Sequence, residues 1–184
     1  MWSFDRRIVL RMGLVAVLGG LTAGCFQPMY GDSRVVPTAG LTDKLGAVDV
    51  LPITPPKGTR LARVGGEVRN DLIFNLTGGG PAQTAAYELK VQLSSTQQQV
   101  IVDINSGRPD IQEYSVNASY TLTDIGTGKT VVSGSTFGRV SYNIPGQQQR
   151  FAGERGLRDA ENRAAGVVAD NIRTRLASFF VAGT

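Results

Sequence analysis

The hydrophobic period of the chain changes from helical to strand-like and back, and this order constrains the fold more than any other sequence feature. From Thr59 onward, apolar residues fall within about 120° of one helical face. These residues are Leu61, Val64, Val68, Leu72 and Leu76. The glycines and the proline at 78–81 end this predicted helix. Gly65 and Gly66 lie inside this helix, and each destabilises it by about 1 kcal/mol relative to alanine. Close contact with a sheet, or a kink in the helix, would explain why glycine stands there.

Three later stretches alternate between apolar and polar residues, as strands with one buried face do. They are Tyr87–Leu93, Tyr114–Leu122 and Thr130–Tyr142. The string Gly126-Thr127-Gly128-Lys129 separates the last two. Its spacing is not that of a phosphate-binding loop, so we predict a hairpin turn there. A shorter run at Ala47–Ile53 predicts a strand near a sheet edge, because prolines follow it.

The last predicted element is a long helix from about Phe151 to Phe180. Its apolar residues recur at every fourth position, namely Ala160, Ala164, Val168, Ile172, Leu176 and Phe180. Alanine makes the first half of this seam narrow, so another element can approach it closely. The outward face carries charges spaced for i,i+4 ion pairs. These pairs are Glu154 with Arg158, Arg155 with Asp159, and Asp159 with Arg163.

The start of the chain has the order of an export signal. Three arginines within residues 6–11 precede an uncharged run at 12–21, which at about ten residues is too short to cross a membrane. The run leads into Leu21-Thr22-Ala23-Gly24-Cys25, which resembles the bacterial lipobox. In a lipobox the cysteine receives a diacylglyceryl group, the signal is cut before it, and the freed amine is acylated.

We therefore expect residues 1–24 to be removed as a lipoprotein signal peptide and Cys25 to be the site of lipid attachment. Residues 25–46 are predicted to form a lipid-anchored tether, because they are rich in glycine and proline. Residues 47–184 are predicted to form one domain. The alternative is that Cys25 is an ordinary buried thiol, after an uncleaved or conventionally cleaved signal.

The residue content excludes several classes of chemistry. The chain contains no histidine and one cysteine, so Ser-His and Cys-His pairs and histidine-containing metal sites are excluded. Arginines surround the carboxylates of the last helix, which favours ion pairs over a carboxylate-only enzyme. Those carboxylates are Glu154, Asp159 and Glu161, and a second acidic set, Asp103, Asp110 and Glu113, lacks the loop spacing of calcium sites. We predict no catalytic residue, no metal and no cofactor.

The charge of the chain gives no reason to expect nucleic-acid binding. The formal net charge is +4, and residues 1–24 carry three arginines and one aspartate, so the mature chain carries +2. Nucleic-acid-binding domains carry a far stronger basic balance. The remaining charge is compatible with local basic patches that face an anionic partner or lipid.

Several strings along the chain resemble one known family. Cys25-Phe26-Gln27-Pro28-Met29-Tyr30-Gly31 resembles the mature start of the lipopolysaccharide-assembly lipoprotein LptE in its alphaproteobacterial form. The resemblance continues at Val68–Leu72, Tyr87–Val91 and Ala169–Ile172 with Leu176, so it covers most of the mature chain. The chain departs from the pattern because the glycine that commonly follows the cysteine is absent. The order and spacing of the strings carry the resemblance.

The resemblance implies an α/β (α+β) two-layer sandwich, with two helices on one face of a four-stranded mixed sheet in the order β-α-β-β-β-α. The periodicity gives the same order independently. The family plugs the periplasmic side of the outer-membrane β-barrel LptD and assists lipopolysaccharide assembly at the cell surface, and lipopolysaccharide is a further candidate partner. Phe26 in place of aspartate agrees with sorting to the outer membrane. The alternative function is an accessory lipoprotein of a lipid-transport ABC system.

Two sequence features are candidates for partner contact. The glutamine runs at 97–99 and 147–149 suit the polar lumen of a wide barrel, and ordinary soluble loops are the alternative interpretation. Phe74 lies about 140° from the centre of the apolar stripe of its helix. A lone aromatic on a polar helix face is either covered by a neighbouring loop or used as an interface anchor, so Phe74 is the first candidate for partner contact.

Overall fold

A computed structural model describes residues 40–55, 58–82, 84–102, 109–144 and 150–183. This part of the chain contains three helices and four strands, in the order α-β-α-β-β-β-α. The helices are α1 (Leu41–Gly46), α2 (Arg60–Thr77) and α3 (Arg150–Ala182), and the strands are β1 (Val48–Val50), β2 (Tyr87–Val102), β3 (Pro109–Asp124) and β4 (Thr130–Asn143). The predicted order β-α-β-β-β-α is confirmed, with one short helix added before it.

The strands form one mixed sheet in the order β1-β2-β3-β4. β1 pairs with β2 in parallel, and the other pairs are antiparallel. β2 and β3 continue well beyond their predicted limits, because polar residues pair along the full length of the two strands. The β3–β4 hairpin is confirmed, since Thr127 N–H donates to the Asp124 carboxylate at 2.8 Å within its turn.

α2 and α3 cover one face of the sheet and bury the predicted seams. Val64, Val68 and Leu72 of α2 and Val168 and Ile172 of α3 are each 0% exposed. Arg60 contacts Glu154 and Asn75 contacts Asp170, so the two helices lie side by side and run in the same direction. The two-layer α+β sandwich is therefore confirmed.

The ends of α2 follow its local sequence. The Thr59 side chain accepts a hydrogen bond from Ala62 N–H at 3.3 Å, as an N-cap does. Gly78 ends the helix with φ of 78°, and its N–H donates to the Phe74 carbonyl. Gly65 packs against Ile53 and Pro55, in the segment that follows β1, so close contact explains this glycine.

The folded unit begins earlier than the sequence predicted. The sequence predicts a tether over residues 25–46, whereas residues 41–46 form α1. Leu45 is 3% exposed, and the Lys44 ammonium donates to the Phe180 carbonyl of α3. The glycine and proline content predicted a tether here, but one buried leucine is enough to pack this short helix against the rest of the fold. The sequence did not predict this short helix, and the tether predicted over residues 25–39 lies outside the described residues.

Candidate interaction surfaces

The sheet face that the helices leave uncovered is rich in hydroxyl and amide groups. On β3 and β4, alternation points one set of side chains away from the core. This set includes eight hydroxyl and amide side chains besides Ile111, Phe137, Glu113, Arg139 and the buried Ser115. The eight are Asn117, Ser119, Thr121, Thr123, Ser133, Ser135, Ser141 and Asn143. We call the outward side chains of β3 and β4 the open face. Such a surface can offer many hydrogen bonds while carrying little charge.

One aromatic side chain interrupts the open face. Phe137 is 57% exposed, and the Arg139 guanidinium carbon lies 5.6 Å from the centroid of its ring. Arg139 also pairs with Glu113 at 3.2 Å. Glu113 belongs to the acidic set that lacks the spacing of a calcium site, and in the structure its carboxylate pairs with an arginine. Aromatic and arginine side chains are the residues that most often anchor interfaces.

Phe74 is a further strongly exposed aromatic side chain of the folded unit. Its side chain is 69% exposed on α2. A Cβ atom at Gly79 would lie 3.7 Å from the ring, so the loop after α2 lies beside Phe74 without covering it. Of the two sequence interpretations, burial under a loop is therefore wrong. Whether Phe74 contacts a partner stays a prediction.

The carboxylates of α3 form ion pairs. Glu154 pairs with Arg60 of α2 at 3.3 Å and not with Arg158. Asp159 pairs with Arg163 at 2.8 Å, as predicted. Glu161 is 3% exposed and pairs with Arg63, so it lies between the helices and not on a solvated face. The sequence missed these cross-helix pairs because their partners are more than 90 residues apart.

A cleft of about 240 Å³ lies between the N-terminal parts of α2 and α3. We call it the arginine cleft. Its charged and aromatic lining consists of Arg60, Arg63, Arg155, Arg158, Glu154, Glu161 and Phe151. The two carboxylates pair with the α2 arginines, whereas Arg155 and Arg158 form no ion pair within the described ranges. Phe151 is 89% exposed at the rim.

Polar side chains join the three long strands near the arginine cleft. Gln97 donates to the Gln112 carbonyl oxygen and to the Tyr142 hydroxyl, and that hydroxyl donates to Gln112 at 2.6 Å. Burial raises the pKa of the Tyr142 phenol, while the hydrogen bond from Gln97 and the Arg60 charge act in the opposite direction. Gln97–Gln99 therefore lie on β2, and the loop interpretation of this run is wrong.

An acidic group lies along the contact between α2 and α3. Asp71 is half-buried. Burial, then the negative charges of Glu67 and Asp170, raise the pKa of the Asp71 carboxyl. Asn75 donates to Asp170 at 3.1 Å. Burial and the like charges therefore make the ionised form of Asp71 less favourable in the folded state than in the unfolded chain.

Some predicted features lie outside the described residues. These are Cys25, the rest of the signal and the tether up to residue 39, Gln147–Gln149, Asp103 and the Asp110 side chain. Within the described ranges, acidic and cysteine side chains form no group of three that could hold a metal ion. No helix in that same part of the chain has the length and apolar character needed to span a membrane.

Comparison with known proteins adds a family and a shared fold. A family model described as LptE, lipopolysaccharide-assembly, matches residues 45–176. The fold resembles the crystal structure of a predicted lipoprotein from Caulobacter crescentus, with a TM-score of 0.60 and 25% identity over 79% of this chain and 98% of that chain. Rare lipoprotein B from Shewanella oneidensis shares the fold, with a TM-score of 0.52 and 16% identity over 73% and 96% of the two chains. No curated protein matches the sequence.

Proposed function

Because the chain belongs to the LptE family of lipopolysaccharide-assembly proteins, we propose that it plugs the periplasmic side of the LptD β-barrel in the outer membrane. Family membership gives the chain a role in lipopolysaccharide assembly. Plugging the barrel is the more specific proposal. In this role the protein binds the barrel and occupies its lumen, and it does not act as an enzyme. The identity of the barrel partner, LptD, is inferred from the resemblance of the sequence strings to the LptE family.

The open face is the observation that carries this proposal. A wide outer-membrane barrel has a polar lumen, so a plug needs a surface that hydrogen-bonds without exposing a large apolar patch. Eight hydroxyl and amide side chains supply such a surface on β3 and β4, from Asn117 to Asn143. Phe137 beside Arg139 adds one aromatic anchor of the kind that dominates interface energies.

Lipid attachment at Cys25 would hold the plug at the membrane. One acyl chain binds only reversibly, whereas a second and third add about 0.8 kcal/mol for each buried methylene group. Cys25→Ala is therefore expected to give an unprocessed or soluble periplasmic chain. Cell fractionation with fatty-acid labelling checks this, and label that still follows the substituted protein would show that the anchor lies elsewhere.

Affinity capture from detergent-solubilised outer membranes tests the plug directly. We expect the tagged protein to recover one large β-barrel, and depletion of the protein to lower surface lipopolysaccharide. Recovery of the lipoprotein alone contradicts the plug. Recovery of inner-membrane transport components instead would favour an accessory lipoprotein of an ABC system.

A matched pair of variants shows which surface meets the barrel. Phe137→Ala removes the anchor on the open face, and Phe74→Ala removes the exposed aromatic on α2. If the open face docks, Phe137→Ala lowers barrel recovery and Phe74→Ala leaves it unchanged. The reverse pattern would move the interface to α2.

A further inference from the structure

The last strand of the sheet has one side that no other strand covers. The sheet order ends at β4 in the described part of the chain, so β4 is an edge strand. Its pairing with β3 runs without a bulge from Val132 to Asn143, and this stretch contains no proline and no lysine. Proline, lysine and bulges commonly keep an edge strand from pairing with another chain. None of these features protects this stretch of β4.

The hydrogen-bond pattern shows which backbone groups lie on the uncovered side. The Asp124 N–H donates to the Lys129 carbonyl across the hairpin, so even-numbered residues of β3 bond to β4. The register opposes them to even-numbered residues of β4, from Val132 to Tyr142. The odd-numbered residues of β4 therefore point their N–H and C=O groups away from the sheet. Five of them are exposed and form what we call the β4 edge, namely Ser133, Ser135, Phe137, Arg139 and Ser141.

A contact from α3 agrees with this direction of the backbone groups. The Asn171 side-chain amide donates to the Thr136 hydroxyl at 3.1 Å and to the Phe137 carbonyl oxygen at 3.4 Å. A carbonyl oxygen has two lone pairs, so the Phe137 carbonyl can also accept a hydrogen bond from an added strand. The contact places the middle of α3 beside the β4 edge.

Apolar side chains lie on both faces of the sheet beside the β4 edge. On the open face, the Phe137 ring is 57% exposed. On the helix side, Val167 lies one turn before Asn171 on the same side of α3 and is 43% exposed. The side chains of an added strand point alternately to the two faces. Each face therefore offers them an apolar neighbour while the backbone offers hydrogen bonds, as in sites that bind an extended peptide.

The charges of α3 disfavour a second copy of this chain as the added strand. Arg163 and Arg175 are exposed and follow the same four-residue spacing as Val167 and Asn171. Arg163 pairs with Asp159, whereas Arg175 forms no ion pair within the described ranges. Pairing of two β4 edges would bring two α3 helices side by side and add their positive charges. An extended segment without a helix layer avoids this cost.

We infer that the β4 edge binds an extended segment of the barrel subunit, which adds to the sheet as a fifth strand. This inference rests on the proposed function, because the residues of the β4 edge also contribute their side chains to the open face. The strands of a closed barrel are already paired on both sides, so the added segment comes from outside the barrel wall. It should carry apolar side chains beside Phe137 and Val167, and no cation beside Arg175.

Two substitutions at one edge position test the added strand. Ser135→Pro removes an outward N–H and puts a ring in its place, while the hydrogen bonds from β4 to β3 use the neighbouring residues. Ser135→Ala is the matched control, because it loses the same hydroxyl but keeps the N–H. The tagged full chain is captured from detergent-solubilised outer membranes. We expect Ser135→Pro to lower barrel recovery roughly fivefold or more, and Ser135→Ala to leave it unchanged.

A second pair of variants covers the case in which proline damages the strand itself, which thermal unfolding would detect. Val167→Asp changes an exposed side chain and puts a charge against the added strand, so we expect it to lower barrel recovery without changing the fold. Val181→Asp makes the same change at a 54% exposed position near the end of α3, and recovery should not fall. Equal recovery with these two variants overturns the inference.

Hydrogen exchange reports on the backbone groups directly. In the free protein, the outward amides of the β4 edge should exchange quickly, because they have no strand partner in the described part of the chain. In the captured complex, we expect exchange to slow across residues 133–141. A complex in which exchange in this stretch is unchanged overturns the added strand.

The outcomes separate this inference from the proposed function. If the proline and alanine variants of Ser135 recover the barrel equally, the plug stands and the added strand is wrong. If the unmodified chain recovers no barrel, the plug and the inference both fail. If the tagged chain instead recovers an untagged second copy, and Ser135→Pro abolishes that recovery, the β4 edge is a surface for self-association and the inference is wrong.

Discussion

Phe137 and Gly138 are neighbours on β4, yet they face regions with opposite requirements. Phe137 points to the open face and is 57% exposed. Gly138 is buried against α3, where a Cβ atom would overlap the Ala164 carbonyl oxygen and lie 3.2 Å from a Val168 methyl group. The inner face therefore has no room for one methyl group, while the outer face displays a whole ring. Packing against α3 limits which residues fit on the inner side of the strand. No such limit applies on the outer side, where a partner can decide which residues are suitable.

The largest effect is expected from a charge on the inner face. Val168 is 0% exposed, so Val168→Asp buries a carboxylate that has no cation to pair with. Such a cost is comparable with the whole stability of a domain, about 5–15 kcal/mol. We expect the variant to lose cooperative thermal unfolding. Val167→Asp is the matched control, because Val167 is 43% exposed and its variant should melt like the parent.

A single added methyl group tests how tightly β4 and α3 approach. Gly138→Ala should destabilise the protein by about 1–3 kcal/mol, because the backbone of α3 must move to accept the new atom. Gly66→Ala adds the same group on α2 with nothing within 4 Å, so it should stabilise by about 1 kcal/mol. Denaturant unfolding measures both variants. Equal effects would mean that the close approach at Gly138 is not a packing constraint.

Removing a partly buried charge between the helices should have an intermediate effect on folding stability, and this effect should depend on pH. The pKa of Asp71 is raised above 3.8 in the folded state. Between pH 3.8 and the folded pKa, the folded chain keeps a proton that the unfolded chain has released, so stability falls as pH rises through this window. Asp71→Asn should remove that fall and be more stable than the parent at pH 7. Melting curves between pH 3 and 7 check this, and parallel profiles would contradict it.

The smallest effect on stability is expected on the open face. Phe137→Ala removes an exposed ring and its contact with Arg139, at a cost of at most about 1 kcal/mol. Denaturant unfolding measures this cost. A loss larger than that of Gly138→Ala would show that Phe137 is part of the core, and the contrast between the two faces would be wrong.

The sequence by itself determined the elements and the inner layer. Alternation located β3 and β4, and the four-residue seam placed Val168 and Ile172 in the core, because burial of one face imposes a fixed period on any strand or helix. Thr59 and Gly78 marked the ends of α2, since capping is local chemistry. The small residues of α3 correctly indicated a close neighbour, but only the structure identifies that neighbour as Gly138.

The tertiary structure decided which distant residues meet. Arg60 and Arg63 join Arg155 and Arg158 only because α2 and α3 run in the same direction from one end of the sheet. The pairs that neutralise Glu154 and Glu161 depend on the same arrangement, and so does the half-buried site of Asp71. Periodicity reports which face of an element is apolar, but it carries no information on the partner of that face. The arginine cleft is therefore a property of the fold, assembled from arginines that the sequence places on two separate helices.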